Sequence, residues 1–270
     1  SSEKPLLYTL LITCNGEVIP FRIGLKKIEF RAFMNCGNLE EITVSDGVEM
    51  IADEAFDNCT SLRKVTIADS VEQFGYGVFR YCHSLEEVDY KYVSEDGRCI
   101  VIDGELLSFM PGGVESYTLS EDITKVGYYA FYSCDSLLSV TLPSSLECID
   151  TNAFMYNYNL QSIYCKATTP PMMGVDPLWG YDDWNLKIYV PVESLDAYLN
   201  ADGWRDYADA ILGYDFETGE ITKPSINLGV CGTFTNWGQD GELDIAMEYL
   251  DDRNLYVAYG IELTTDDRFK

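Results

Sequence analysis

A repeat of 23 residues runs through the first two thirds of the chain and limits what it can fold into more than any other feature. Its marker is an Ala-Phe pair, with Val in place of Ala once. Ala32-Phe33, Ala55-Phe56, Val78-Phe79, Ala130-Phe131 and Ala153-Phe154 follow one another at intervals of 23, 23, 52 and 23 residues. Three residues beyond each Phe stand Cys36, Cys59, Cys82, Cys134 and Asn157, and three further on Leu39, Leu62, Leu85, Leu137 and Leu160. An apolar alternation comes next: Ile42/Val44, Val65/Ile67, Val88/Tyr90, Val140/Leu142 and Ile163/Cys165. A second apolar pair closes the unit: Val48/Ile51, Val71/Phe74, Ile123/Val126 and Leu146/Ile149.

The Leu-x-x-Val-x-Ile part has period two and is rich in β-branched residues, which predicts a short strand with one face inward. The Ala-Phe part turns a corner and fills the interior with Phe. One unit cannot bury its own apolar face, whereas stacked units can. The expected result is a solenoid with a continuous core.

Nine cysteines would first suggest disulfides in an exported protein. Four of them, Cys36, Cys59, Cys82 and Cys134, share one repeat position, and Asn157 replaces them in the last unit. This predicts a ladder of buried free thiols bonding to backbone. Cys148 and Cys165 also hold repeat positions. Cys14, Cys99 and Cys231 stay uncommitted, and no pairing can be assigned to them. With no C-x-x-C and no His pair, a metal site is not expected.

The 52-residue interval is one period plus 29. The extra residues lie near 91–116, where Asp96-Gly97 and Asp103-Gly104 are turn signals around Ile100-Val101-Ile102 and Leu106-Leu107-Ser108-Phe109. They predict an irregular rung built from a hairpin. The spacing does not suit a calcium loop.

The pattern A-F-x-N-C-x-S-L-x-x-V-T-I resembles BspA-type leucine-rich repeats of surface and secreted proteins in Bacteroides-like and oral bacteria. The resemblance covers about 30–213. Regular repeats occupy about 30–165 of a solenoid spanning 1–213. A cap at 166–213 is expected to include short helices near 192–200 and 204–211. The family resemblance implies extracellular or outer-membrane display, binding of proteins or surface partners, and no catalysis. After an expected linker at 214–225, residues 226–270 are similar to modules of the outer-membrane starch-binding lipoproteins of gut Bacteroides. That stretch is about half of a β-sandwich. The fold class is therefore mainly β with short helices: a leucine-rich-repeat solenoid, a C-terminal cap and a partial β-sandwich-like tail.

Acidic residues outnumber basic ones by 45 to 18, for a net charge of −27. That argues against nucleic acid and anionic membranes as partners. No run of apolar residues is long enough to span a bilayer. The start at Ser1-Ser2-Glu3-Lys4-Pro5 reads as a mature N-terminus or an arbitrary edge, and leaves room for a lipid anchor ahead of Ser1. A monomer is expected.

Strand positions facing away from the core form the candidate partner face: Glu41, Thr43, Lys64, Thr66, Glu87, Asp89, Thr118, Ser139, Thr141, Ser162 and Tyr164. Thr43, Thr66, Asp89, Thr118, Thr141 and Tyr164 are expected to form one column. A solvated Thr ladder would show the same pattern. Trp237 and the Trp179/Trp184 loop are candidate glycan-stacking residues, with internal packing as the alternative for each. His83, at a variable repeat position, is expected to be solvated. No G-x-S-x-G, H-E-x-x-H or P-loop is present, and no catalytic residue, cofactor or metal ligand is assigned. The leading expectation is a non-catalytic protein-binding module. The alternative is a glycan-binding lipoprotein of a polysaccharide-uptake system.

Overall fold

The computed structural model describes residues 11–14, 17–20, 25–178, 186–223, 247–250 and 255–258. The chain is mainly β, and its 23-residue repeats stack as a leucine-rich-repeat solenoid. The strands Leu39–Val44, Lys64–Ile67 and Glu87–Asp89 pair in parallel, so each residue faces its equivalent one repeat on, as in Glu41↔Lys64↔Glu87. Lys27–Ile28, Met50–Ile51 and Gln73–Phe74 make a narrower parallel sheet from the closing apolar pairs. The alternation buries Ile42, Val44, Val65 and Ile67 and turns Thr43, Lys64 and Thr66 outward.

The repeat also fixes the turns. Two residues before the Phe, Arg31, Glu54, Tyr129 and Asn152 adopt positive φ of 55° to 61°; Gly77 takes that place in the third rung at 59°. Two residues after it, Asn35, Asn58, Tyr81, Ser133 and Tyr156 lie at 52° to 65°. Gly77 takes this conformation without strain and Asn tolerates it, whereas each of the others costs about 1 kcal/mol or more. Rung-to-rung bonds hold them there: the N–H groups of Phe33 and Asn35 donate to the Ala55 and Asp57 carbonyls at 2.8 Å, and those of Phe56 and Asn58 to Val78 and Arg80 at 3.0 and 2.8 Å.

Inside, the rings stack in two columns. Phe33 and Phe56 lie 5.1 Å apart, and Phe56 and Phe79 5.7 Å. Phe109, Phe131 and Phe154 follow at 4.8 and 4.7 Å. Phe109 shows that the 52-residue interval holds a complete rung: its N–H donates to the Ala130 carbonyl at 2.9 Å, as Phe131 donates to Ala153 at 2.8 Å. The insertion is a hairpin, Cys99–Ile102 with Glu105–Phe109, turning at Asp103 and Gly104, both at positive φ. It joins the second narrow sheet beside Lys125–Val126.

The hairpin alters one expectation. The core is not continuous but falls into two buried clusters, about Ile28–Met110 and Cys99–Ile211. On the turn side the clusters are tied together. The Tyr81 and Tyr132 hydroxyls meet at 2.9 Å, and the Arg80 guanidinium lies 4.8 Å from the centres of the Tyr129 and Tyr132 rings. Arg80 also pairs with the buried Asp57 at 2.9 Å and with Glu54 at 3.2 Å. His83 is exposed, as expected, and sits 3.7 Å from the likewise exposed Asp135.

The cysteine ladder holds with one correction. The Cys59 and Cys82 thiols are buried and donate to the Phe33 and Phe56 carbonyls at 3.1 and 3.2 Å. Asn157 serves the last rung more fully: its amide nitrogen donates to the Phe131 and Phe154 carbonyls at 2.6 and 2.9 Å, and its Oδ1 accepts the Cys134 N–H at 2.6 Å. Cys36, expected to be buried, is exposed: it stands in the first of the Ala-Phe rungs, where Phe33 itself is only partly buried. Cys99 is a buried free thiol against the Tyr117 hydroxyl at 3.4 Å. The side chain of Cys14, and all of Cys231, lie outside the described residues.

Both ends of the exposed face are finished by antiparallel hairpins. Leu11–Cys14 and Glu17–Pro20 extend Leu39–Val44 at the N-terminal side. At the other end Val192–Ser194 and Trp204–Ala210 are 3-10 turns around the helix Leu195–Asn200. They bury Leu195, Tyr198 and Trp204. The indole of Trp204 donates to the Pro171 carbonyl at 2.7 Å. Ile211–Tyr214 then adds a strand, and Ile221–Thr222 pairs back on it. Within the stretch expected to be linker, 214–225, Tyr214 therefore ends one arm of a hairpin and Ile221–Thr222 form the other, and the first compact unit runs to Thr222. Of the second unit, the described part is a hairpin of Met247–Leu250 with Leu255–Ala258.

Candidate functional site

The exposed face consists of two sheets rather than one. The first ends at Glu87–Asp89. The second begins at Ser116–Thr118 and continues through Ser139–Leu142, Ser162–Cys165, Lys187–Pro191 and Ile211–Tyr214. The expected single column is accordingly broken between Asp89 and Thr118. Thr43, Thr66 and Asp89 are aligned on one side, and Thr118, Thr141 and Tyr164 on the other. The cause is the insertion: the chain leaves the exposed sheet at Tyr90, makes its hairpin in the opposite sheet, and returns only at Ser116.

The first half is a ladder of charge. Lys64 is bonded to Glu87, and that bond holds its ammonium above the usual lysine range, with Glu41 and Asp89 adding to the field. Arg63 pairs with Glu40 at 3.1 Å. A shallow depression of about 500 Å3 lies among Glu41, Arg63, Lys64, Glu86 and Glu87. Oppositely charged residues stand at equal repeat positions, so each ion pair bridges adjacent rungs.

The second half is polar, then aromatic. Ser116, Ser139, Ser162 and Lys187 form one row. Thr118, Thr141, Tyr164 and Tyr189 form the next. The Tyr164 and Tyr189 rings stack at 4.5 Å and 13°. Tyr214 packs across both, at 5.2 and 5.5 Å, and Phe216 lies edge-on to Tyr214 at 4.9 Å. Partial burial pushes the Tyr189 hydroxyl above the ordinary tyrosine range, and Tyr164 and Tyr214 add to the shift. Tyr189 and Tyr214 escape the repeat pattern because they follow the last Ala-Phe pair; the Lys-Ile-Tyr-Val alternation at 187–190 was the available signal.

Trp179, Trp184 and Trp237 lie outside the described residues. Among the described residues no group of three or more His, Cys, Asp or Glu side chains is arranged to hold a metal ion. No helix among them is long and apolar enough to cross a membrane.

This architecture defines a leucine-rich-repeat protein. The model of the BspA type leucine rich repeat region matches in six copies over residues 11–96 and 107–170, and the chain belongs to that family. The unmatched interval falls on the insertion. Among solved structures, the chain is similar to a leucine-rich repeat protein from Bacteroides ovatus at 25% identity, covering 63% of this chain and 44% of that one, with a TM-score of 0.37. It is also similar to the Treponema pallidum leucine rich repeat protein at 21% identity, covering 64% and 86%, TM-score 0.37. The pneumococcal vaccine antigen PcpA matches at 20% identity, covering 65% and 68%, TM-score 0.36. The chain thus spans less than half the length of the Bacteroides ovatus protein. No curated protein matches it.

Proposed function

We propose that this chain is a non-catalytic binding protein displayed at a bacterial surface, and that it engages an extracellular protein along the exposed face of its solenoid. The observation that carries the reading is the tyrosine cluster of Tyr164, Tyr189 and Tyr214 on an outward sheet face. Inward positions of the repeat must be apolar for the rungs to stack. Nothing in the stacking requires three tyrosines outside. Tyrosine anchors a protein interface well because it offers large area for little conformational entropy. The charged first half sets register and association rate more than affinity. Surface display is what BspA-type membership suggests, and the net charge of −27 suits a chain that stays apart from other acidic surfaces.

Sugar stacking is the weaker reading on this face, because Tyr164 and Tyr189 turn their ring faces to each other. The resemblance of 226–270 to starch-binding modules is the basis left for it. Immobilised chain probed with extracellular-matrix proteins and with a polysaccharide panel tests the choice. A protein ligand should be retained, and Tyr189→Ala should weaken it by about tenfold or more. Charge reversal at Glu41, Lys64 or Glu87 should change mainly the association rate. Retention of polysaccharide alone, indifferent to all four changes and lost on deleting residues after Lys223, would replace this reading with the glycan one.

A further inference from the structure

The insertion does more than lengthen one rung. It leaves Glu87–Asp89 and Ser116–Thr118 as the edge strands of their two sheets. A cleft of about 660 Å3 opens between the insertion, residues 91–104, and the stretch 117–123 that includes the second of these edges. Tyr92 and Tyr117 wall it, and Glu95, Asp96, Asp103 and Asp122 line it as exposed carboxylates. Tyr117 stands where neighbouring rungs carry Val140 and Ile163, so it is too large for the interior position it occupies. Its ring packs on Phe109 at 4.8 Å, and its hydroxyl reaches out to donate to Asp96 at 2.7 Å. The one basic residue of the lining, Lys91, is already engaged: its ammonium donates to the Asp69 carbonyl at 2.7 Å and to Glu72 at 2.6 Å.

We propose that this cleft docks an extended, basic segment of a partner protein. The edge strand Ser116–Thr118, whose Tyr117 and Thr118 line the cleft, offers the backbone donors and acceptors that an added strand uses. Aromatic walls accept guanidinium groups by stacking. Four carboxylates set against one lysine that is already paired select a positive occupant and reject an anionic one. The cleft is a site separate from the tyrosine cluster, and it takes its occupant whether or not the flanking columns bind.

The test uses the full chain and a labelled peptide of alternating Arg and Thr, about eight residues long to match a strand. A Glu/Thr counterpart and an Arg/Thr peptide N-methylated at alternate residues are titrated beside it, with fluorescence anisotropy as the readout. The Arg/Thr peptide should bind saturably and the Glu/Thr peptide should not. N-methylation should weaken binding by about tenfold, because it removes strand donors. Asp103→Asn with Asp122→Asn should also weaken it by about tenfold. Asn tolerates the positive φ at position 103, so the turn survives, and an unchanged melting curve verifies this. Glu193→Gln with Glu217→Gln removes equal charge from exposed positions at the solenoid end and should change affinity by less than about twofold. Equal weakening by the two double variants, saturable binding of the Glu/Thr peptide, or absence of saturable Arg/Thr binding would overturn the proposal. Indifference to N-methylation would overturn strand addition as its mode.

Discussion

The rungs before the insertion and those after it have the same backbone and different chemistry. Both halves place a Phe at the corner, a left-handed residue on either side of it, and a small polar side chain three residues on. In the first half that side chain is a thiol, and the outer face carries ion pairs one repeat apart. In the second half it is the Cys134 thiol and then, in the last Ala-Phe rung, the Asn157 amide, and the outer face carries tyrosines. Stacking constrains the inward residues and the turn bonds. It leaves the outward positions free to be charged in one half and aromatic in the other.

The comparison breaks most visibly at its core. Phe131→Ala should cost about 3–5 kcal/mol, and Phe56→Ala about the same, since both rings are fully buried between stacked neighbours. If the two core clusters are separate cooperative units, hydrogen exchange should rise for Phe131→Ala mainly in 99–211 and for Phe56→Ala mainly in 28–96. Uniform acceleration across both would mean that the bridge at Arg80, Tyr81 and Tyr132 makes them one unit. Arg80→Ala probes that bridge directly. It strands Asp57, only 2% exposed, without its partner, at a cost of about 3–5 kcal/mol in denaturant unfolding.

The small polar position gives the next effect. Asn157→Ala leaves the Cys134 N–H and the Phe131 and Phe154 carbonyls without their amide, and should cost about 2–3 kcal/mol. Cys82→Ala removes one weak sulfur bond and should cost about 1 kcal/mol. Asn157→Cys should recover part of the loss. If it performs no better than Ala, the two side chains are not equivalent in this turn.

How much of this could be read from the residues follows from what the repeat controls. Ala-Phe spacing shows the rungs, the inward Val and Ile, and the Cys/Asn ladder, because each recurs at a fixed distance and faces its equivalent. Phe109 was hidden: Ser108 precedes it instead of Ala, and it sits 30 residues after Phe79 and 22 before Phe131, so no single period finds it. The break in the face was hidden for the same reason. A pattern shows that 29 residues are added but not which sheet they join. The exposure of Cys36 was hidden because it shares its repeat position with the buried Cys59, Cys82 and Cys134, and Tyr189 and Tyr214 belong to rungs that no longer carry the motif.

Thiol chemistry sharpens the comparison at a smaller scale. Iodoacetamide near pH 8 should modify the exposed Cys36 first and spare the buried Cys82, Cys99, Cys134 and Cys165, as mass spectrometry would show. Burial pushes the Cys99 thiol up to about 12, well above the roughly 8.5 of an unfolded thiol. A raised pKa means that the folded state holds the proton more tightly. The resulting stability is fully present below about pH 8.5 and is lost as pH rises through about 12. Melting curves across that range should show a fall that Cys99→Ala lessens; an unchanged alkaline fall in the variant would assign the loss to other groups.

The smallest effect belongs to the charged ladder. Lys64 and Glu87 are both well exposed, with side chains 42% and 60% accessible, so water screens most of their attraction. Lys64→Gln should shift the melting temperature by no more than about a degree or two, and half-molar salt should erase even that. The same substitution should still slow association with a partner that approaches this half, because steering acts over the whole field and not through the stability of one pair. Tyr189→Ala should do the reverse: it should leave the association rate and its salt dependence nearly unchanged and speed dissociation, since its rings act only in contact. If both substitutions changed only dissociation, the two halves of the face would be doing the same work despite their different chemistry, and the division between a steering half and an anchoring half would fail.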